Sequence, residues 1–116
     1  MNDPILTVAL DRPAPGLTVL RAAGELDLHT VPRLLEALDG AAFDAELVID
    51  LAGLGYCDST GITALITTHQ RAQAAGGTLE LAGVTPELMR VFHIAGLDQL
   101  FSFRPGVDQA DETQRT

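Results

Sequence analysis

Leu47-Val48-Ile49-Asp50-Leu51 and, shortly after it, Tyr56-Cys57-Asp58-Ser59-Thr60-Gly61 decide how this chain folds. The first run is nearly continuously apolar and short, which predicts a strand lying centrally in a sheet or covered on both sides. The second leads into Ile62, Leu65 and Ile66 at helical spacing, so Ser59 and Thr60 fall where a loop turns into a helix. Unpartnered backbone N–H groups and the positive end of the helix dipole gather at such a point. A hydroxyl there is either a helix cap or a place where a phosphate is well received.

Upstream of this segment, Ile5 to Leu10 and Leu17 to Ala22 read as two strands joined by the turn Pro13-Ala14-Pro15-Gly16, and they pair as a hairpin. Pro4 and Pro13 suit the first of them to a sheet edge. Gly24 breaks the pattern ahead of Glu25-Leu26-Asp27. Thr30 is then placed to cap a helix whose first turn holds Pro32 and whose apolar face is Val31, Leu34, Leu35 and Leu38, with Gly40 ending it.

Downstream, a helix from Ser59 to Ala75 should bury Ile62, Leu65, Ile66, His69 and Ala72 and stop at Gly76-Gly77. Thr78 to Ala82 alternates as a strand. Thr85-Pro86 opens a third helix with the face Leu88, Val91, Phe92 and Ala95. Gly96 takes the left-handed position after it, and Leu97 packs back on Phe92. Leu100 to Phe103 is a short last strand.

The order is β-β-α-β-α-β-α-β. That is an α/β domain with a mixed sheet of about four to five strands and helices packed on it, its parallel pairs made by right-handed crossovers. We expect one domain over residues 1–104 and a polar, acidic, disordered tail over 105–116.

Composition narrows the function. The chain has 116 residues, 47% of them apolar, and a formal charge of −9 from 16 acidic and 7 basic residues. Every basic residue is arginine. The absence of lysine excludes a P-loop, a Schiff-base enzyme and a Ser–Lys hydrolase. The acidic balance argues against nucleic acid as partner. No apolar run approaches the roughly 20 residues that span a bilayer, and no signal-peptide pattern is present, so a cytoplasmic protein without a membrane partner is expected. The lone Cys57 permits no internal disulfide.

Self-contained catalysis finds no support. His69 lies ten residues beyond Ser59, roughly 15 Å along the helix at 1.5 Å per residue, too far to act as its base. It reads as a satisfied core histidine, and His93 as a solvated one. His29, in the loop Glu25 to His29, could sit beside Ser59, but no nucleophile-elbow or oxyanion-hole sequence accompanies it. Three scattered histidines and one cysteine give no metal-ligand spacing. Cys57, between apolar neighbours and far from any cation, reads as an inert buried thiol. A serine modified by an external kinase needs only exposure and room for its product, and Gly61 would let a partner's backbone approach. On these residues alone, cap and switch stand level.

Four stretches together resemble the anti-sigma factor antagonist family, the stand-alone form of the STAS domain. They are Gly24-Glu25-Leu26-Asp27; Val48-Ile49-Asp50-Leu51 with Tyr56-Cys57-Asp58-Ser59-Thr60-Gly61-Ile62; Leu81-Ala82-Gly83-Val84-Thr85-Pro86; and Val91-Phe92-His93-Ile94-Ala95-Gly96-Leu97. The likeness covers roughly residues 5 to 103. Cys57, Ile62-Thr63 and a tail without a final amphipathic helix depart from the family pattern. What the resemblance implies is a non-enzymatic STAS-like regulator of transcription, in a stress response, that works by partner switching. Unmodified, it would bind an anti-sigma factor that is also a serine-protein kinase and so release the sigma factor. Phosphorylation of Ser59 would end the complex, and a serine phosphatase would reset it. Asp27, Asp58, Ser59, Thr60 and Gly61 would form the partner-binding surface. ATP belongs to the kinase, so no cofactor is expected on this chain. A scaffold, or an accessory subunit of a lipid-transport complex, would use the same surface with Ser59 serving only as a cap.

Overall fold

The computed structural model describes residues 6–105. The elements are β1 (Leu6–Ala14), β2 (Leu17–Leu26), α1 (Val31–Leu38), β3 (Glu46–Cys57), α2 (Ser59–Ala75), β4 (Thr78–Ala82), α3 (Pro86–Ile94), a 3-10 turn (Leu97–Gln99) and β5 (Ser102–Arg104). The sheet order follows the chain, β1-β2-β3-β4-β5. β1 and β2 pair antiparallel as the predicted hairpin, and every later pair is parallel. The expected α/β order is therefore the observed one.

One row of side chains crosses the sheet: Leu10 opposite Leu20, Leu20 beside Ile49, Ile49 beside Leu81, Leu81 beside Phe103. Its three central members are fully buried. Each βαβ crossover brings its helix over this row, and Leu34, Leu38, Leu65, Ala72, Leu88 and Phe92 join it in one cluster. Full burial of each large side chain is worth about 1.5–3 kcal/mol, which makes this layer the main source of stability. On the other face Val19, Val48 and Ala82 form a much smaller buried group. That face also carries the ion pairs Arg21–Asp50 and Arg104–Glu80.

Several boundaries depart from the sequence expectation. β2 does not stop at Gly24 but continues to Leu26, with register shifts at Arg21/Ala23 and Gly24/Glu25. β3 likewise runs past Leu51 to Cys57, pairing Gly53, Leu54, Tyr56 and Cys57 with residues 23 to 26 of β2. These irregular pairings space the buried Leu51, Leu54 and Cys57 three apart, so the period-two signal of a strand is lost. β5 begins at Ser102 rather than Leu100, because Leu100 closes the 3-10 turn. Ile5, expected to open the first strand, and the expected tail from 106 onward lie outside the described residues.

The helix faces also need correction. In α1, Leu35 is exposed and only Val31, Leu34 and Leu38 are buried. α2 has the predicted span, but its inward residues are Gly61, Ala64, Leu65, Thr68 and Ala72, with Ile62, Ile66 and His69 half-buried beside them. Small residues bring this helix close to the sheet, and Thr68 donates to the Ala64 carbonyl at 2.7 Å, so its hydroxyl is satisfied inside. The helix ends on Gly76 in the left-handed conformation, with φ of 84°. α3 is too short to bury a full stripe: Leu88 and Phe92 are inside, whereas Val91 and Ala95 are exposed. Thr85 caps it by accepting from Leu88 N. Gly96 is left-handed as expected, and Leu97 returns to the cluster that holds Phe92.

Candidate docking and phosphoacceptor site

β2 and β3 end side by side, with Glu25 level with Tyr56 and Leu26 level with Cys57. The loop that leaves β2 and the turn that leaves β3 therefore meet beyond the carboxyl ends of two parallel strands, where α/β sheets commonly place their binding crevices. Asp58 N donates to the Leu26 carbonyl at 3.1 Å, the last rung of this pairing.

Asp58 is the residue that starts α2. Its backbone is extended, its Oδ1 accepts from Gly61 N at 2.9 Å, and its carbonyl accepts from Ile62 N at 2.9 Å. Its other oxygen, Oδ2, accepts from Leu28 N at 3.3 Å and ties the helix start to the neighbouring loop. Ser59 is the first helical residue and is exposed. The choice posed by the sequence, cap or acceptor, thus resolves at the level of the cap: the carboxylate of Asp58 makes it, not the Ser59 hydroxyl.

Thr30 is the N-cap residue of α1, as expected, but its side chain makes no capping bond, and Asp27 orders the turn ahead of the helix. Asp27 Oδ1 accepts from His29 N and Thr30 N at 2.9 and 3.1 Å. The Thr30 hydroxyl makes no helix-capping bond; buried, it accepts from Asp27 N and donates to the Glu25 carbonyl. Asp27 thus accepts from two amides just downstream while its own N–H donates to the Thr30 hydroxyl.

Gly61 has a different role from the one expected of it. It is buried, and a Cβ there would stand 2.8 Å from Cys57 Sγ, 2.8 Å from the Leu26 carbonyl oxygen and 2.9 Å from Leu26 Cγ. It lets α2 sit against β2 and faces inward, so the reason for a glycine here is internal packing. Thr60 is half-buried beside it. Cys57 is buried, and desolvation, reinforced by the charge of Asp58, pushes its pKa up to about 12. That thiol stays protonated and inert, as the sequence implied.

Among the described residues no histidine is hydrogen-bonded to Ser59. His29 lines an open cleft with Val8, Pro32, Arg33 and Glu36, on the α1 side of its loop. His93 is exposed and pairs with Asp98. His69 was read as satisfied, yet among the described residues its buried Nδ1 has no hydrogen-bond partner. Its ring instead meets Phe101 edge-on at 5.2 Å, so packing outweighed polar pairing. Among the described residues no group of His, Cys, Asp and Glu is placed to hold a metal ion. No helix there is long and apolar enough to cross a membrane.

Two residues at this site escaped the sequence reading. Leu28 is 64% exposed and Tyr56 is 51% exposed. Leu28 stands in the loop after β2, between Asp27 and His29, and Tyr56 stands at the end of β3, just ahead of Cys57. The signal was available: a leucine inside a polar turn has no core to reach.

A family model described as "Mlab, STAS domain" matches residues 11–103. The chain is 37% identical over 79 residues to the anti-sigma-B factor antagonist of Bacillus subtilis (strain 168), covering 67% of this chain and 72% of that protein. It is 31% identical over 91 residues to the anti-sigma-B factor antagonist of Staphylococcus aureus (strain NCTC 8325 / PS 47), covering 77% and 84%. An anti-sigma factor antagonist crystal structure from Mycobacterium paratuberculosis superimposes with a TM-score of 0.78 at 28% identity, over the whole of both chains. All three similar proteins carry the names of regulators rather than of enzymes.

Proposed function

The chain belongs to the STAS domain family of anti-sigma factor antagonists, and on that premise we propose that it is a phosphorylation-controlled member. Unmodified, it binds an anti-sigma factor that is also a serine kinase, and the sigma factor is freed. The kinase then phosphorylates Ser59, the complex separates, and a serine phosphatase restores the binding form. The cycle runs in the cytoplasm, with the domain spanning residues 1–104. Asp27, Asp58, Ser59 and Thr60 face the partner, and Gly61 holds the turn beneath them.

The observation that carries this reading is that Ser59 is exposed at a helix start whose cap another residue already supplies. The hydroxyl can therefore be modified without removing the bond that begins α2. Phosphate takes the formal charge from −9 to about −11, a small change in the global field. Charges beyond a Debye length of roughly 8 Å are largely screened at physiological salt. Release is thus a local event: a bulky, hydrated dianion stands in the contact surface and would have to be desolvated there.

Incubation with candidate serine-kinase anti-sigma factors and ATP, followed by mass spectrometry, should place a single phosphate on Ser59. Ser59→Ala should bind the kinase and remain unmodified, and Ser59→Asp should bind poorly. If both variants bound as tightly as the native chain, the switch would be wrong. The matching family model's description, which names Mlab rather than an antagonist, keeps a second reading in view: a scaffold or transport-complex subunit that uses the same surface without modification. Under that reading no candidate kinase labels the chain.

A further inference from the structure

We propose that Leu28 and Tyr56 are the apolar anchors by which the anti-sigma factor holds this protein, carried on the two chain segments that meet next to Ser59. This inference rests on the function proposed above and adds to it where the binding affinity resides. At 64% and 51% exposure these are two large apolar side chains, Leu28 in the loop after β2 and Tyr56 at the end of β3. The paired ends of β2 and β3 fix Tyr56, and the bond from Leu28 N to Asp58 Oδ2 fixes the backbone of Leu28. Both anchors are therefore held in place before a partner arrives, which reduces the ordering cost of binding. Exposed aromatic and aliphatic residues on a rigid frame, ringed by polar groups, have the makeup of an interface hot spot.

The surroundings favour a protein over a lipid surface. The charged side chains of residues 25 to 30 and 56 to 61 are Glu25, Asp27 and Asp58, all acidic. An anionic membrane would be repelled, since lipid surfaces attract basic segments. The fitting partner surface is an apolar recess rimmed by arginine or lysine. A phosphate on Ser59, next to the Asp58 that holds Leu28 N and three residues beyond Tyr56, would keep that recess from closing over the anchors.

The test measures the affinity of the serine-kinase anti-sigma factor that labels Ser59, in the presence of a non-hydrolysable ATP analogue. Leu28→Ala and Tyr56→Ala should each raise Kd by about 10-fold, mainly through the off-rate. Tyr56→Phe should bind as the native chain does, because the ring rather than the hydroxyl is the anchor. Ile94→Ala, an exposed apolar residue on α3 at 80% exposure, should leave Kd unchanged. In kinase assays the two alanine variants should raise KM for Ser59 phosphorylation with little change in kcat. Alanine variants that bind within twofold of the native chain, while Ser59→Asp still fails to bind, would overturn the anchors and leave the switch standing. A chain that no such kinase binds or labels overturns both.

Discussion

Removing the Asp58 carboxylate should destabilise the domain far more than removing the adjacent hydroxyl. Asp58→Ala deletes the bond to Gly61 N that starts α2 and the bond to Leu28 N that ties the helix to the neighbouring loop. Loss of an N-cap costs about 0.5–2 kcal/mol. The second bond, longer and at an exposed loop, adds roughly 0.5–1 kcal/mol. The total of about 1–3 kcal/mol corresponds to a fall in Tm of roughly 5–12 °C for a domain of this size. Ser59→Ala, at an exposed position outside the cap, should change stability by less than about 0.5 kcal/mol. Asp58→Asn should fall between them, since its carbonyl can still cap Gly61 N while its amide group cannot accept from Leu28 N. The chain has no tryptophan and one tyrosine, so far-UV circular dichroism in urea and calorimetry are the suitable readouts. A Ser59→Ala loss above about 1 kcal/mol beside an Asp58→Ala loss below 0.5 kcal/mol would refute the assignment of the cap.

Gly61→Ala should cost about 1–3 kcal/mol by overpacking, measured in the same urea titrations, because its Cβ meets the Leu26 backbone as well as a side chain. Cys57 should resist alkylation in the native protein at pH 8 and react at once when unfolded, since its pKa is held at about 12. Its folded pKa lies above the ordinary thiol value of 9.0, so the folded state binds this proton more tightly. The resulting stability is fully present below pH 9.0 and lost as pH rises toward about 12. Denaturation at pH 8 and 10.5 should show a decline that Cys57→Ala reduces.

The element order and the extent of α2 were legible in the sequence because each rests on a local signal: an apolar run, a helical period, a terminal glycine pair. The ends of β2 and β3 were not. Their pairing is irregular, and the register shifts that allow it depend on two segments some 30 residues apart in sequence. The helix faces were misread for another reason. Sequence periodicity marks apolar positions, but closeness to the sheet selects small ones, which is why Ala64 and Thr68 lie inside while Ile62 and Ile66 flank them. At the site, the segment 58 to 61 stood out, yet the division of labour within it did not. Asp58 and Ser59 are both good capping residues; only the fold shows which oxygen reaches Gly61 N. Leu28 was legible as a leucine inside a polar turn, whereas the exposure of Tyr56 depends on where β3 ends.

A sheet whose spatial order repeats the order of synthesis has a bearing on how the protein is made. No strand has to be inserted between two that are already joined; each new one docks on the free edge left by its predecessor. Residues 6 to 57 complete β1, β2 and β3 before Ser59 is translated. Nascent chains fold from the N-terminal side as they emerge. The hydroxyl thus enters a scaffold that can already be assembled, and the later βα units extend the sheet at its far edge without disturbing it.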